Sequence, residues 1–188
     1  MEIIDRVLSG AYVLKPMSFS DDRGVFKILY NSEIFNKVIN SEISFVQDNL
    51  SVSKKNVFRG FHFQKHQFSQ SKLVWVSQGR VIDIIVDLRP TSPTFMKTFS
   101  IELSKSNSFQ LFIPRGFAHG FISLEENTMF QYKVDNLYSR EFDSGINPND
   151  VFFNELPFNL SECIISEKDK ELPFIKDLNF NTIWDHKS

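Results

Sequence analysis

The chain has 188 residues, with Lys+Arg 21 against Asp+Glu 23 and a formal charge of -2. That is the size of one domain, spanning 1–188, and it lacks the global positive field that would favour nucleic acid or an anionic membrane. The lone Cys163 excludes an intrachain disulfide framework and a cysteine zinc site and fits a reducing cytoplasm. No apolar run approaches the roughly 20 residues of a spanning helix, and "MEIIDRVLSG" has no basic-then-apolar leader pattern, so a soluble protein is expected.

In chain order, alternation dominates over helical periodicity. "GVFKILYN" reads as a strand, "NSEIFNKV" as a helix with Ser32 as N-cap ahead of Glu33, and "SFVQDNLSVS" as a second strand. "KLVWV", Ser77-Gln78-Gly79 and "RVIDIIVDLR" predict a hairpin closed by a glycine turn. "SFQLFI", "AHGFISL" and "TMFQYKVD" follow as strands, separated by Pro114-Arg115-Gly116 and Glu125-Glu126-Asn127. Beyond Pro157 the pattern loosens into "SECIISEKDKELPF", expected to be a tail packed on the body. Short strands at this spacing predict an all-β sandwich or barrel. Phe is used 21 times against 4 Tyr and 2 Trp, which predicts an aromatic interior, because Phe fills a core without needing a hydrogen-bond partner.

Two histidine-bearing stretches interrupt this apolar pattern. In "FRGFHFQ", strict alternation puts Gly60, His62 and Gln64 on one face and Arg59, Phe61 and Phe63 on the other. A glycine inside a strand often marks a bulge, which would let Arg59 and His62 share a cavity. A lone strand histidine is more often structural than catalytic, and His66 reads the same way. "IPRGFAHGF" has the form Pro-x-Gly-x-x-His, which resembles the second motif of cupins, double-sheet jelly-roll barrels that often hold a metal. Here Gln64 stands where a second histidine would be needed and no Glu occurs between Gln64 and Gln78, so the ligand set is incomplete and no metal is expected. Arg59 and Lys72 as fixed cations, a histidine base and Tyr132, a phenol of pKa about 10, suit proton abstraction beside a carbonyl, with the cations stabilising an enolate.

The ordered motifs "DDRGVF", "FVQDNLSVS", "FRGFHFQ", "KLVWVSQGRVIDIIVDLR", "SPTF", "IPRGFAHGF", "QYK" and "SEKD" resemble the dTDP-4-dehydrorhamnose 3,5-epimerases of the cupin superfamily, from about residue 10 to residue 175. The resemblance implies a cupin-type double-sheet jelly-roll barrel with a few short peripheral helices and a cofactor-free nucleotide-sugar 3,5-epimerase. It implies His62 as the base alpha to the 4-keto group, Asp169 as its carboxylate partner, and Tyr132 as the proton donor on the opposite face. Read from the residues alone, Asp169 would be a solvated tail residue and Tyr132 a packed strand aromatic. By the same similarity Arg59 and Lys72 contact the sugar 4-oxygen or phosphate region, and His119 and Lys168 help to bind substrate. Gln47 and Asn49 contact the diphosphate, and Tyr138 stacks on the base. Arg23 implies a homodimer with an exchanged N-terminal strand, its guanidinium meeting the nucleotide bound to the neighbour, although Asp21-Asp22-Arg23-Gly24 is also good turn chemistry.

The sequence departs from the family at Ile28, where Glu is usual, at Pro148, where Trp is usual, and in the loop "KHQFSQS". The alternatives that stay open are a 3-only or 5-only epimerase or ketoisomerase acting on another nucleotide sugar, and a metal-dependent or non-catalytic sugar-binding cupin.

Overall fold

Alternating apolar and polar side chains make strands of most of the chain, because one face of each can then pack inward while the other meets solvent or a covering segment. The structure, a computed structural model, describes residues 1–153 and 156–184. The first part of the chain forms β1 (Glu2–Arg6), β2 (Tyr12–Lys15), β3 (Met17–Asp21), β4 (Gly24–Ile28) and α1 (Ser32–Ile39). Then come β5 (Gln47–Ser53), β6 (Phe58–Gln64), β7 (Lys72–Gln78), β8 (Arg80–Asp87) and β9 (Thr98–Ser104). The remainder contributes β10 (Gln110–Ile113), β11 (Phe117–Ser123), β12 (Thr128–Val134), β13 (Asp143–Gly145), α2 (Glu167–Lys170) and α3 (Phe180–Ile183).

Two antiparallel sheets face one another, a six-stranded sheet ordered β1-β2-β10-β7-β12-β5 and a five-stranded sheet ordered β13-β6-β11-β8-β9. Between them Val74, Val76, Val81, Ile85, Leu111, Phe121 and Phe130 form the inner core. This is the all-β, cupin-type barrel expected, with the helices peripheral. Among the described residues no helix is long and apolar enough to cross a membrane.

Each outer face has its own cover. On the six-stranded sheet, Phe35 and Ile39 of α1 pack against Leu14, Leu73, Trp75 and Phe112. Full burial of Phe35 is worth roughly 2–3 kcal/mol by apolar transfer. On the five-stranded sheet the C-terminal segment lays Leu160, Ile165, Leu178 and Trp184 over Phe58, Phe63, Ile84 and Ile122. That is the packed tail the sequence predicts.

Three local expectations are corrected. The α1 cap is Asn31, not Ser32: the Asn31 side chain accepts from Ile34 N at 3.0 Å, leaving Ser32 as the first helical residue. The expected hairpin of β7 and β8 is a corner, since the two strands belong to opposite sheets and the Gly79 turn carries the chain from one to the other. Strands β1, β2, β3, β9 and β13 go beyond those expected; β1, β3 and β13 are short, and β1 and β3 are mostly exposed, so they lack a long apolar stripe.

Candidate active site

The barrel opens into a cavity of about 480 Å³. Its walls come from both sheets: Arg59 and His62 on β6 and His119 on β11 from one, Ser51 on β5, Lys72 on β7 and Tyr132 on β12 from the other. Ser166, Lys168 and Asp169 of the C-terminal segment line its remaining side.

A bulge explains how Arg59 and His62 come to share the cavity. On β11, His119 pairs with His62 and Phe121 with Arg59, so one intervening residue faces two on β6. Gly60 takes up the extra residue with φ +138°, and a Cβ there would stand 2.5 Å from the Gly120 Cα. The phase change sends Phe58, Phe61 and Phe63 to the outer aromatic cluster and turns Arg59 and His62 inward. Strict alternation fails here, and the glycine is the reason.

Asp169 reaches the site because the segment before α2 runs along the start of β6, with Phe58 N donating to Ile164 O at 3.0 Å and Ile164 N to Asn56 O at 2.8 Å. Ser166 then caps α2 by accepting from Asp169 N at 3.2 Å. The helix delivers the Asp169 carboxylate to 2.7 Å from Nε2 of His62, and Gly60 N donates to its other oxygen at 3.4 Å. Burial alone would raise the Asp169 carboxyl, but hydrogen bonding and charge from His62 outweigh it and hold it below its ordinary value. The solvated-tail reading of Asp169 is therefore overturned, since its side chain is 5% exposed.

A second His–Asp pair is built on His119, which lines the cavity. Nε2 of buried His119 meets Oδ2 of Asp83 on β8 at 2.8 Å, and among the described residues Asp83 Oδ1 has no hydrogen-bond partner. Burial pushes the His119 imidazole down despite that carboxylate. Sequence reasoning missed Asp83, although one carboxylate within the apolar run "RVIDIIVD" was a usable signal, because a buried charge demands a partner. Lys72 is pushed down to about 8, chiefly by burial, with Asp143 and Asp83 opposing the fall. Burial raises the Tyr132 phenol above its usual value, with Arg59 working the other way, so it keeps its proton at neutral pH. Arg59 Nε donates to Ser53 Oγ at 3.1 Å.

Not every sequence-predicted residue lines this cavity. Gln47 and Asn49 share β5 with Ser51 and bond one another at 2.7 Å, outside the cavity lining. Tyr138 lies exposed, its OH donating to Asp143 Oδ2 at 3.2 Å beside Lys168. Arg23 sits at the exposed turn of the β3–β4 hairpin, paired with Asp21 at 2.6 Å. His66 packs edge-on against Phe142 away from the cavity. Among the described residues no three His, Cys, Asp or Glu side chains gather as a metal set would.

Comparison with known proteins points to a family of sugar-nucleotide epimerases. Residues 5–177 match the model described as dTDP-4-dehydrorhamnose 3,5-epimerase. The dTDP-4-dehydrorhamnose 3,5-epimerase of Escherichia coli (strain K12) is 42% identical over 178 residues, 95% of this chain and 96% of that protein. The crystal structure of the Bacillus anthracis str. Ames enzyme with TDP and PPi bound superposes with TM-score 0.88 at 42% identity, covering 93% of this chain and 99% of that one. The Legionella pneumophila Philadelphia 1 dTDP-6-deoxy-D-glucose-3,5-epimerase, in complex with dTDP-4-keto-L-rhamnose, superposes with TM-score 0.91 at 32% identity, over 100% of this chain and 99% of that one.

Proposed function

The chain belongs to the dTDP-4-dehydrorhamnose 3,5-epimerase family, and from that premise we propose that it converts dTDP-4-dehydro-6-deoxy-D-glucose to dTDP-4-dehydro-L-rhamnose. The observation that carries the reading is the placing of a carboxylate-paired histidine and a protonated tyrosine on opposite sheets of one barrel. Inversion needs a proton removed from one face of the sugar and another returned to the opposite face, so the base and the acid must flank the ring.

In this reading His62 abstracts the proton beside the 4-keto group, and Asp169 fixes the tautomer and stabilises the imidazolium that forms. Electron density moves onto the 4-oxygen, where Lys72 and Arg59 stabilise the enolate. Tyr132 then protonates the carbon from the other wall, and repetition at the second carbon completes the 3,5-inversion. His119 and Lys168 bind the substrate, Gln47 and Asn49 meet the diphosphate, and Tyr138 stacks on the base. The reaction requires no metal and no cofactor, because the electrophile is supplied by side chains.

A homodimer with exchanged N-terminal strands completes the proposal. Its support is the β3–β4 hairpin, which among the described residues forms a two-stranded sheet of its own and leaves Phe19, Val25 and Phe26 at 51%, 61% and 67% exposure. The outer side of edge strand β5 likewise presents Leu50 and Val52. The Phe19 and Phe26 rings lie 6.4 Å apart, exposed apolar surface of this kind marks an interaction face, and Arg23 on that hairpin would then serve the neighbouring site. Because the cavity draws on both sheets and the C-terminal segment, the whole chain is read as one domain, working in the cytoplasm.

The test is NMR of dTDP-4-keto-6-deoxyglucose with the purified protein in deuterated water, before and after dialysis against a chelator. Exchange at C3 and C5 in both samples is expected; no exchange at either carbon in the undialysed sample would overturn the function.

A further inference from the structure

Asp143 at the start of β13 collects three donors at the mouth of the cavity. Its Oδ1 accepts from Gln64 Nε2 at 3.0 Å, and its Oδ2 accepts from Tyr138 OH at 3.2 Å and Lys168 Nζ at 2.5 Å. The carboxylate side chain is 13% exposed, whereas that of Lys168 is 63% exposed. Gln64 is itself fixed, its Oε1 accepting from Ser139 N at 2.9 Å, so one oxygen of Asp143 is anchored to the fold. The other holds a solvent-facing ammonium that also lines the cavity.

We propose that Asp143 is a built-in counter-ion for the cavity mouth: it occupies Lys168 and Tyr138 in the free protein, and the phosphates of a nucleoside diphosphate sugar displace it. This rests on the reading of the cavity as a nucleotide-sugar site. A carboxylate and a phosphate compete for the same ammonium and hydroxyl donors. With the mouth cation already neutralised, a bare anion gains little by entering, since it must evict Asp143 without sugar or base contacts to compensate. A ligand that brings those contacts can. Asp143 is thus a specificity residue that acts by disfavouring the wrong ligands, inorganic phosphate and pyrophosphate among them.

The experiment is calorimetric titration of the full chain with inorganic pyrophosphate, comparing the native protein with Asp143→Asn, Lys168→Met and the double variant. Asp143→Asn should bind pyrophosphate about threefold or more tightly at low salt, as expected for an unscreened charge at a partly exposed site. The gain should shrink as salt rises and disappear in the Lys168→Met background. A carboxylate that repelled anions only through space, without occupying Lys168, would give a gain that persists in the Lys168→Met background. Unchanged or weaker binding by Asp143→Asn, or a gain that persists without Lys168, overturns the proposal; Asp143→Ser stands in if the Asn variant fails to fold by circular dichroism. Proton exchange by the native protein on the sugar nucleotide is measured alongside. Its absence would overturn the epimerase reading, whereas the pyrophosphate comparison decides on Asp143.

Discussion

His62 and Asp169 are separated by 107 residues in sequence, yet the imidazole Nε2 and the carboxylate Oδ1 lie 2.7 Å apart. The join depends on a four-residue helix, α2, held beside β6 by the capping of Ser166 and by backbone bonds to Asn56 and Phe58. An imidazole oriented in this way is held in one tautomer, which is what proton abstraction beside a carbonyl requires of its base.

Asp169→Asn should therefore keep the fold and lose the chemistry, lowering kcat by about 10²-fold or more. The same residue sets part of the acid stability. Its folded pKa lies below the ordinary 3.8, so its stabilisation is present above that value and is lost as pH falls through the lowered folded one. Urea denaturation at pH 7 and at pH 3 should show a smaller acid loss for the Asn variant than for the native chain. An identical acid loss in both would mean that the carboxylate is not held by His62 in solution.

Removing the proposed base and removing the proposed acid should have separable effects. His62→Ala should slow turnover by the 10²–10⁴-fold typical of a general base, roughly, and abolish deuterium exchange at both carbons. Tyr132→Phe should still wash deuterium into the substrate while failing to invert it. Near-native exchange by the His62 variant would require a different base.

Lys72 should give the pH profile its alkaline side. With a pKa near 8, the ammonium proposed to stabilise the enolate is lost above that pH, so kcat/KM should fall as pH rises through about 8. Stability moves the other way: the folded value is below the ordinary 10.5, the unfolded chain binds the extra proton between the two, and this residue's contribution rises with pH across that window. Lys72→Arg, whose guanidinium stays charged, should retain part of the activity and move the alkaline limb upward. An alkaline limb that stays near pH 8 in the Arg variant would assign it to another group.

How much of this was legible in the sequence varies from residue to residue. Strands β4 to β8 and β10 to β12 could be read because each carries either an alternating stripe or a short continuous run of apolar side chains that the barrel must bury. That Arg59 and His62 could share a cavity was legible, because Gly60 marked the bulge that brings them together. The His62–Asp169 pairing was not derivable from spacing, because it depends on where a C-terminal segment docks on an outer sheet face, a long-range contact with no local signature. The β7–β8 corner was missed for a related reason. A glycine turn between two apolar strands looks the same whether the strands pair or part into opposite sheets. Asp83 had a signal that went unused, a carboxylate within an apolar strand.

The exchanged hairpin can be tested by complementation. If Arg23 serves the neighbouring cavity, Arg23→Ala and His62→Ala subunits are each defective for different reasons. A mixed dimer would then contain one site with both an intact arginine and an intact histidine. Co-expression should restore up to about half the native activity per mixed dimer, measured after tandem-tag purification. Phe26→Asp, which places a charge on an apolar surface that a partner would cover, should shift the protein to monomers in sedimentation velocity, since an unpaired buried charge is costly. Mixed dimers no more active than the Arg23→Ala parent would confine Arg23 to its own chain's turn.

Base selectivity is where this chain should differ from its relatives. Ile28 ends β4, half-buried, beside a hollow shared with Phe26, Tyr30 and Asn49, at a position where the motif resemblance implies Glu. An acidic side chain can accept a hydrogen bond from a base N–H, and an isoleucine cannot, so an interaction of about 1 kcal/mol, more if charge-assisted, is missing. The nucleotide would then be held through Arg23, the diphosphate contacts and stacking on Tyr138, all of which tolerate different bases. Values of kcat/KM for the dTDP, CDP and GDP forms of the same 4-keto sugar should accordingly lie within about tenfold of one another, a spread of roughly 1.4 kcal/mol. Ile28→Glu should widen that spread in favour of dTDP. A native preference of about a hundredfold or more for one base would mean that another side chain reads it, because about 2.7 kcal/mol of discrimination exceeds what stacking and phosphate contacts can supply.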